Sequence, residues 1–447
     1  MSSPRVPDAV LNKMPPRVVP LLYLGAAHAA LALACVLVAW SPRAVAGFFY
    51  HSWMIAIVHL VTLGWITLSI LGAFYIVGPA ALQMPMPARR SDYAAWALAV
   101  TGVAGMVGHF WIAEYGGMVW SAAAVVAGAT LVIARVLRGL ARAKIAAAVK
   151  LHIALASANF LLAASMGMLL GLDKVYHFLP GYVLSNVFAH AHLAAVGWAT
   201  MMVVGIAYRL LPMTLPAKPP AGRSLFLSAV LIETGVLGLF TALVLQSPWA
   251  RLFGVLIVAG LAAFAAHVAG MIRSPRPRQP GAPAVDFAIA HAAAAGLSLA
   301  VACALGLYLL FATPSDVTLR AATAYGVVGL LGFLGQMVVA METRLLPLFA
   351  WYWAYAGTGF KGPVPPPHAM RNPTLQGLVL SGWAFGVPAL AVGFFLNAVP
   401  LVDAGAWALL TGVSASAFDT AGILAHAFSA KPPVPGAGFP AQLATSL

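Results

Sequence analysis

The stretch Phe188–Pro212, FAHAHLAAVGWATMMVVGIAYRLLP, is apolar almost throughout, yet it opens on two histidines, His190 and His192. It is longer than the ~20 apolar residues that carry a helix across a bilayer. An ionisable side chain inside such a run is costly, and its presence calls for a partner or a ligand. The stretch also recurs. From His59 the chain reads HLVTLGWITLSILGAFYIVGP and from His192 HLAAVGWATMMVVGIAYRLLP, both fitting H-L-x3-G-W-x-T-x4-G-x2-Y-x3-P without a gap. Eight of the 21 positions are identical, against roughly two expected from such a composition. A third copy, Val327 to Pro347, shares Gly332, Met337, Val338, Val339, Arg344, Leu345, Leu346 and Pro347 with the second, but starts on valine.

Working outward from these copies, the chain divides into twelve apolar spans, read at roughly 18–40, 49–80, 93–112, 117–139, 151–171, 183–212, 224–246, 249–272, 286–312, 320–348, 375–397 and 401–428. The copies begin about 134 residues apart, and four spans fill each interval. The expected fold is therefore all-α: a single polytopic membrane domain over 1–447, with internal repeats at roughly 17–149, 150–284 and 285–430. Its twelve transmembrane helices form three four-helix arcs in a pseudo-threefold arrangement, with spans 2, 6 and 10 equivalent. Composition agrees. The 447 residues are 62% hydrophobic and 8% charged, with a mean hydropathy of +0.94, which excludes an ordinary soluble domain. Cys35 and Cys303 lie inside apolar spans, so no disulfide framework is indicated.

The net charge of +14 reads as a topology signal rather than a nucleic-acid footprint. Twenty of the 24 Lys and Arg residues fall on one side of the twelve spans, and only Arg43, Lys174, Arg251 and Arg320 on the other. That bias places both termini in the cytoplasm and the chain in the cell inner membrane. It also sets His51, His59, His109, His190 and His192 in the outer half of the bilayer. Arg209 and Arg344, at the inner ends of spans 6 and 10, are expected to snorkel to the interface.

Residues two apart on an α-helix differ in direction by about 200°, so His190 and His192 do not chelate one ion; a zinc pair sits at i, i+4. Two opposed imidazoles suit two neighbouring sites. Haem fits best, being large, apolar and planar and taking one axial nitrogen on each face. His59 occupies the matching place in its own repeat. His59, His190 and His192 are thus the cofactor-binding candidates, one or two b-type haems the expected cofactor, and His51 and His109 the candidate copper ligands. Glu233 and Asp419 are intramembrane carboxylates and candidates for a proton path.

The span from His190 to Pro212, with its H-x-H, G-W and closing Y-x3-P, resembles the haem-ligand helix of the haem–copper oxidase subunit I superfamily, nearest to the cbb-type cytochrome c oxidases. Its histidine, glycine and proline spacing also resembles the NnrS-type haem- and copper-containing membrane proteins. The resemblance implies that His190 and His192 match the haem-ligand pair and His59 the ligand position of its repeat. It further implies a role in respiratory electron transfer or oxygen or nitric oxide chemistry, a quinol or cytochrome electron donor, and partner subunits of a respiratory complex. The chain departs from the oxidases in carrying its H-x-H on span 6 rather than span 10, where Tyr325 and Val327 stand, and in having no His-His dipeptide, so the copper site is incomplete. The alternative reading is a transporter or assembly factor for copper, haem or another ligand on the same scaffold.

Overall fold

A computed structural model describes residues 15–277, 285–355 and 364–429. Five of the cations used for orientation, Arg5, Lys13, Arg278, Lys361 and Lys431, lie outside them. Among the described residues twelve helices are long and apolar enough to cross a bilayer. They are α1 (Val19–Trp40), α2 (Ser52–Ala80), α3 (Arg90–Trp111), α4 (Met118–Arg142), α5 (Ala147–Tyr176), α6 (Val183–Thr214), α7 (Leu225–Val244), α8 (Ala250–Arg273), α9 (Phe287–Phe311), α10 (Asp316–Tyr355), α11 (Pro373–Leu396) and α12 (Val399–Ala425). The chain is an all-helical, multi-pass membrane protein, and the helices follow the spans read from hydropathy. The largest difference is α10, a 40-residue helix that continues beyond Pro347 to Tyr355. Proline inside a helix removes one backbone bond but does not stop a helix whose flanks are packed, and Leu346, Phe349, Trp351 and Tyr352 are buried.

The third and fourth helices of each arc pack as a tight antiparallel pair: α3 with α4, α7 with α8, α11 with α12. Small residues allow the approach. A Cβ at Gly128 would lie 2.5 Å from the Ala95 carbonyl, one at Gly235 2.8 Å from the Ile257 nitrogen, and one at Gly382 2.6 Å from the Ala408 carbonyl. In lipid, where water offers no driving force between apolar helices, this close van der Waals fit holds them together.

The helices α2, α6 and α10 meet one another around the pseudo-threefold axis. Each contains an eight-residue π-helical segment: Leu60–Thr67, Leu193–Thr200 and Val328–Gly335. The segments begin one residue after His59, His192 and Val327, so the copies agree in backbone as well as in sequence. In α6 the Thr200 hydroxyl donates to the Ala195 carbonyl five residues back, supporting the wider turn. Side chains from these segments link the copies. Trp198 Nε1 donates to Thr67 Oγ1 at 3.1 Å, tying α6 to α2. The equivalent tryptophan of the first copy, Trp65, meets Gly335 of the third copy instead of a threonine. A Cβ on Gly335 would lie 3.0 Å from the Trp65 ring, and Trp65 Nε1 is buried without a hydrogen-bond partner.

Candidate functional site

His59 and His190 lie near the ends of the α-helical turns that precede two of these π segments. The His59 Nδ1 donates to the Ile55 carbonyl at 2.7 Å, within its own helix. The His190 Nδ1 reaches across to α5 and donates to the Ala163 carbonyl at 2.9 Å. A carbonyl only accepts, so both rings carry their proton on Nδ1 and keep the Nε2 lone pair for another partner. This second-sphere bond is the one that fixes a histidine ring as a metal ligand. The His190 ring rests against Gly167, where a Cβ would approach it to 2.9 Å.

The two rings lie across the α2–α6 interface from each other, with centroids 6.5 Å apart and planes within 16°. Two imidazoles bound to opposite sides of one iron have centroids roughly 6 Å apart, from two metal–nitrogen bonds of ~2 Å and ~1 Å from each nitrogen to the ring centre. Both rings are half-buried although they sit among packed helices, and Phe110 covers His59 from the side at 4.8 Å. The donor set, its protonation and its spacing therefore fit an axial pair for a planar iron cofactor.

His192, two residues on, points to a different neighbour, as its position on the helix requires. Its Nδ1 donates to the Phe188 carbonyl at 2.8 Å. Its Nε2 lies 3.4 Å from the Tyr325 hydroxyl of α10.

The remaining candidates are held in other ways. His51 caps the first turn of α2, its Nδ1 accepting from the Met54 amide at 3.4 Å, while its Nε2 is buried without a partner. His109 Nδ1 contacts Glu114 at 2.8 Å, and Glu114 also accepts from the Gly116 and Gly117 amides at the start of α4. Among the described residues no group of three His, Cys, Asp or Glu side chains gathers around one point as metal ligands would. Glu233 accepts from Asn159 Nδ2 at 2.7 Å, and Asn159 reaches on to the Gly197 carbonyl within the α6 π segment. Asp419 is fully engaged: it accepts from Arg371 Nη1 at 2.7 Å, the Asn372 amide at 2.8 Å and Gln376 Nε2 at 2.7 Å. That network anchors the turn before α11 to α12. Arg209 and Arg344, expected only to snorkel, have definite partners: Arg209 Nε donates to the Ala81 carbonyl, and Arg344 Nη2 pairs with Asp286 at 2.6 Å.

Sequence reading passed over Glu342. It is buried on α10, with Oε2 3.4 Å from His28 Nε2 and Oε1 3.5 Å from the Ser69 hydroxyl. It lines a cavity of about 100 Å³ between α1, α2, α6 and α10, whose walls are apolar apart from Glu342 and Ser69. His28 Nδ1 donates to the Leu24 carbonyl, so one proton must lie between His28 Nε2 and the carboxyl group if they hydrogen-bond. The signal was present in the alignment of the copies: Glu342 stands where the others carry Phe74 and Ala207.

No protein-family model matches the chain, and no curated protein matches it by sequence. Among solved structures it is similar to a cryo-EM structure of a heme-copper terminal oxidase dimer, at 12% identity and a TM-score of 0.59 over 94% of this chain and 86% of that one. The chain therefore has a haem–copper oxidase-like membrane fold.

Proposed function

We propose that the protein is an integral membrane haem protein that carries electrons through a b-type haem held between α2 and α6 by His59 and His190. The observation that supports this reading is the pair itself: two half-buried imidazoles, each with Nδ1 committed to a carbonyl, at a spacing that suits two ligands of one iron. A haem held by His59 and His190 would supply one-electron transfer rather than binding of a gas. The residues of this chain supply the rest. Ile55 and Ala163 orient the ligands through their carbonyls, Phe110 covers one side, and the apolar helices exclude water. The oxidase-like fold agrees with a place in a respiratory membrane, with the charge bias setting both termini in the cytoplasm and the pair in the outer half of the inner membrane. The electron donor in this reading is a quinol or a separate cytochrome.

The test is a dithionite-reduced-minus-oxidised spectrum of the purified full-length protein, with pyridine haemochrome analysis. A low-spin b-type spectrum is expected, lost or converted to high spin in His59→Ala and in His190→Ala. Protein made in haem-replete cells and purified without haem overturns the proposal.

A further inference from the structure

The pseudo-threefold axis generates three equivalent interfaces, and each has the same two positions available. The first position of one copy, His59, His192 or Val327, corresponds to the residue two before that position in the next copy, His190, Tyr325 or Ile57. The first interface pairs His59 with His190 at 6.5 Å between centroids. The second pairs His192 with Tyr325 at 6.0 Å, with planes within 25°. At the third the two positions are Val327 and Ile57, which have no ligand atoms.

The second interface differs from the first in one group. His192 donates through Nδ1 to Phe188, so its Nε2 is an acceptor, and the atom it meets is the Tyr325 hydroxyl at 3.4 Å. A hydroxyl can donate to that lone pair; an imidazole with Nδ1 already protonated cannot. The phenol thus occupies the space next to Nε2 where a metal would bind at ~2 Å. Its ring is seated against α9, where a Cβ on Gly306 would lie 3.4 Å away. We propose that Tyr325 is the residue that sets the haem number: it closes the second interface by capping His192, so that the chain holds one haem and not two. The inference rests on the His59–His190 reading given above.

Tyr325→His tests this by giving the second interface the side-chain pair of the first. The measurement is the pyridine haemochrome ratio to protein for the wild type, Y325H and His192→Ala, each checked for folding by its elution volume, with carbon monoxide difference spectra. One haem per wild-type chain is expected, with no carbon monoxide adduct. H192A keeps that haem and its spectrum, and Y325H rises to two low-spin haems. Two haems per wild-type chain, or a folded Y325H that retains one, overturns the proposal and leaves the His59–His190 reading standing, whereas loss of the haem in a folded H192A overturns both. If Y325H does not fold, wild type and H192A decide the matter alone. A wild type without any haem overturns both readings.

Discussion

Burial holds the His51 imidazole below its ordinary pKa, and that direction fixes a pH effect. The folded chain binds this proton less readily than the unfolded chain. The group therefore has no effect on stability well above the ordinary histidine value of ~6.5, and it destabilises the fold as the pH falls below it. Protonation also removes the acceptor that caps α2. Exchange protection of the Met54 amide is expected to fall as the pH drops from about 7 to about 5, and the neutral cap His51→Asn should flatten that dependence; a wild-type protection that stays level over this range contradicts the account. Asp419 shows a different side of residue-level reading. As a lone acid in an apolar span it has the sequence signature of a proton carrier, yet the structure closes it in a hydrogen-bonded pair with Arg371, the two side chains 2% and 8% exposed. The partner comes from a loop 48 residues away, a separation that hydropathy does not register. Asp419→Ala leaves the buried guanidinium uncompensated and is expected to cost about 3–5 kcal/mol. Thermal unfolding should show a large drop in midpoint, with the spectrum of any haem at His59–His190 unaltered.

At the level of the helix, the long spans were legible because a bilayer admits few alternatives: the backbone must satisfy itself, so length and apolarity identify the element. The π segments were not legible. Helical period is read from alternation between apolar and polar faces, and LVTLGWIT and VGLLGFLG have almost no polar face to alternate. Their conserved placement in the three copies became visible only in the backbone. The bond from Trp198 to Thr67 shows what this packing achieves. Thr67→Val retains the shape and removes the acceptor, leaving an indole N–H buried as Trp65 already is. A loss of about 1–3 kcal/mol is expected, measurable as a lower unfolding midpoint in detergent; a value within error of the wild type would show that the bond contributes nothing.

Across the whole molecule, the same threefold plan has been filled with three different chemistries. The repeat and the position of its histidines could be read from the sequence, since identities at fixed spacing survive where overall similarity does not. Which histidine meets which residue could not, because that depends on how one copy docks on the next. The π segments lie between two levels of the bundle: the His59–His190 and His192–Tyr325 pairs on one side, the Glu342 cavity on the other. They consequently act as phase adjusters between two gears on one shaft. Each residue added there turns one level by ~100° against the other. A one-residue insertion at Gly64 would keep the cavity wall in register while swinging His59 away from His190. Substitutions along these helices can be absorbed locally, but insertions within them change which partners the two levels present to each other.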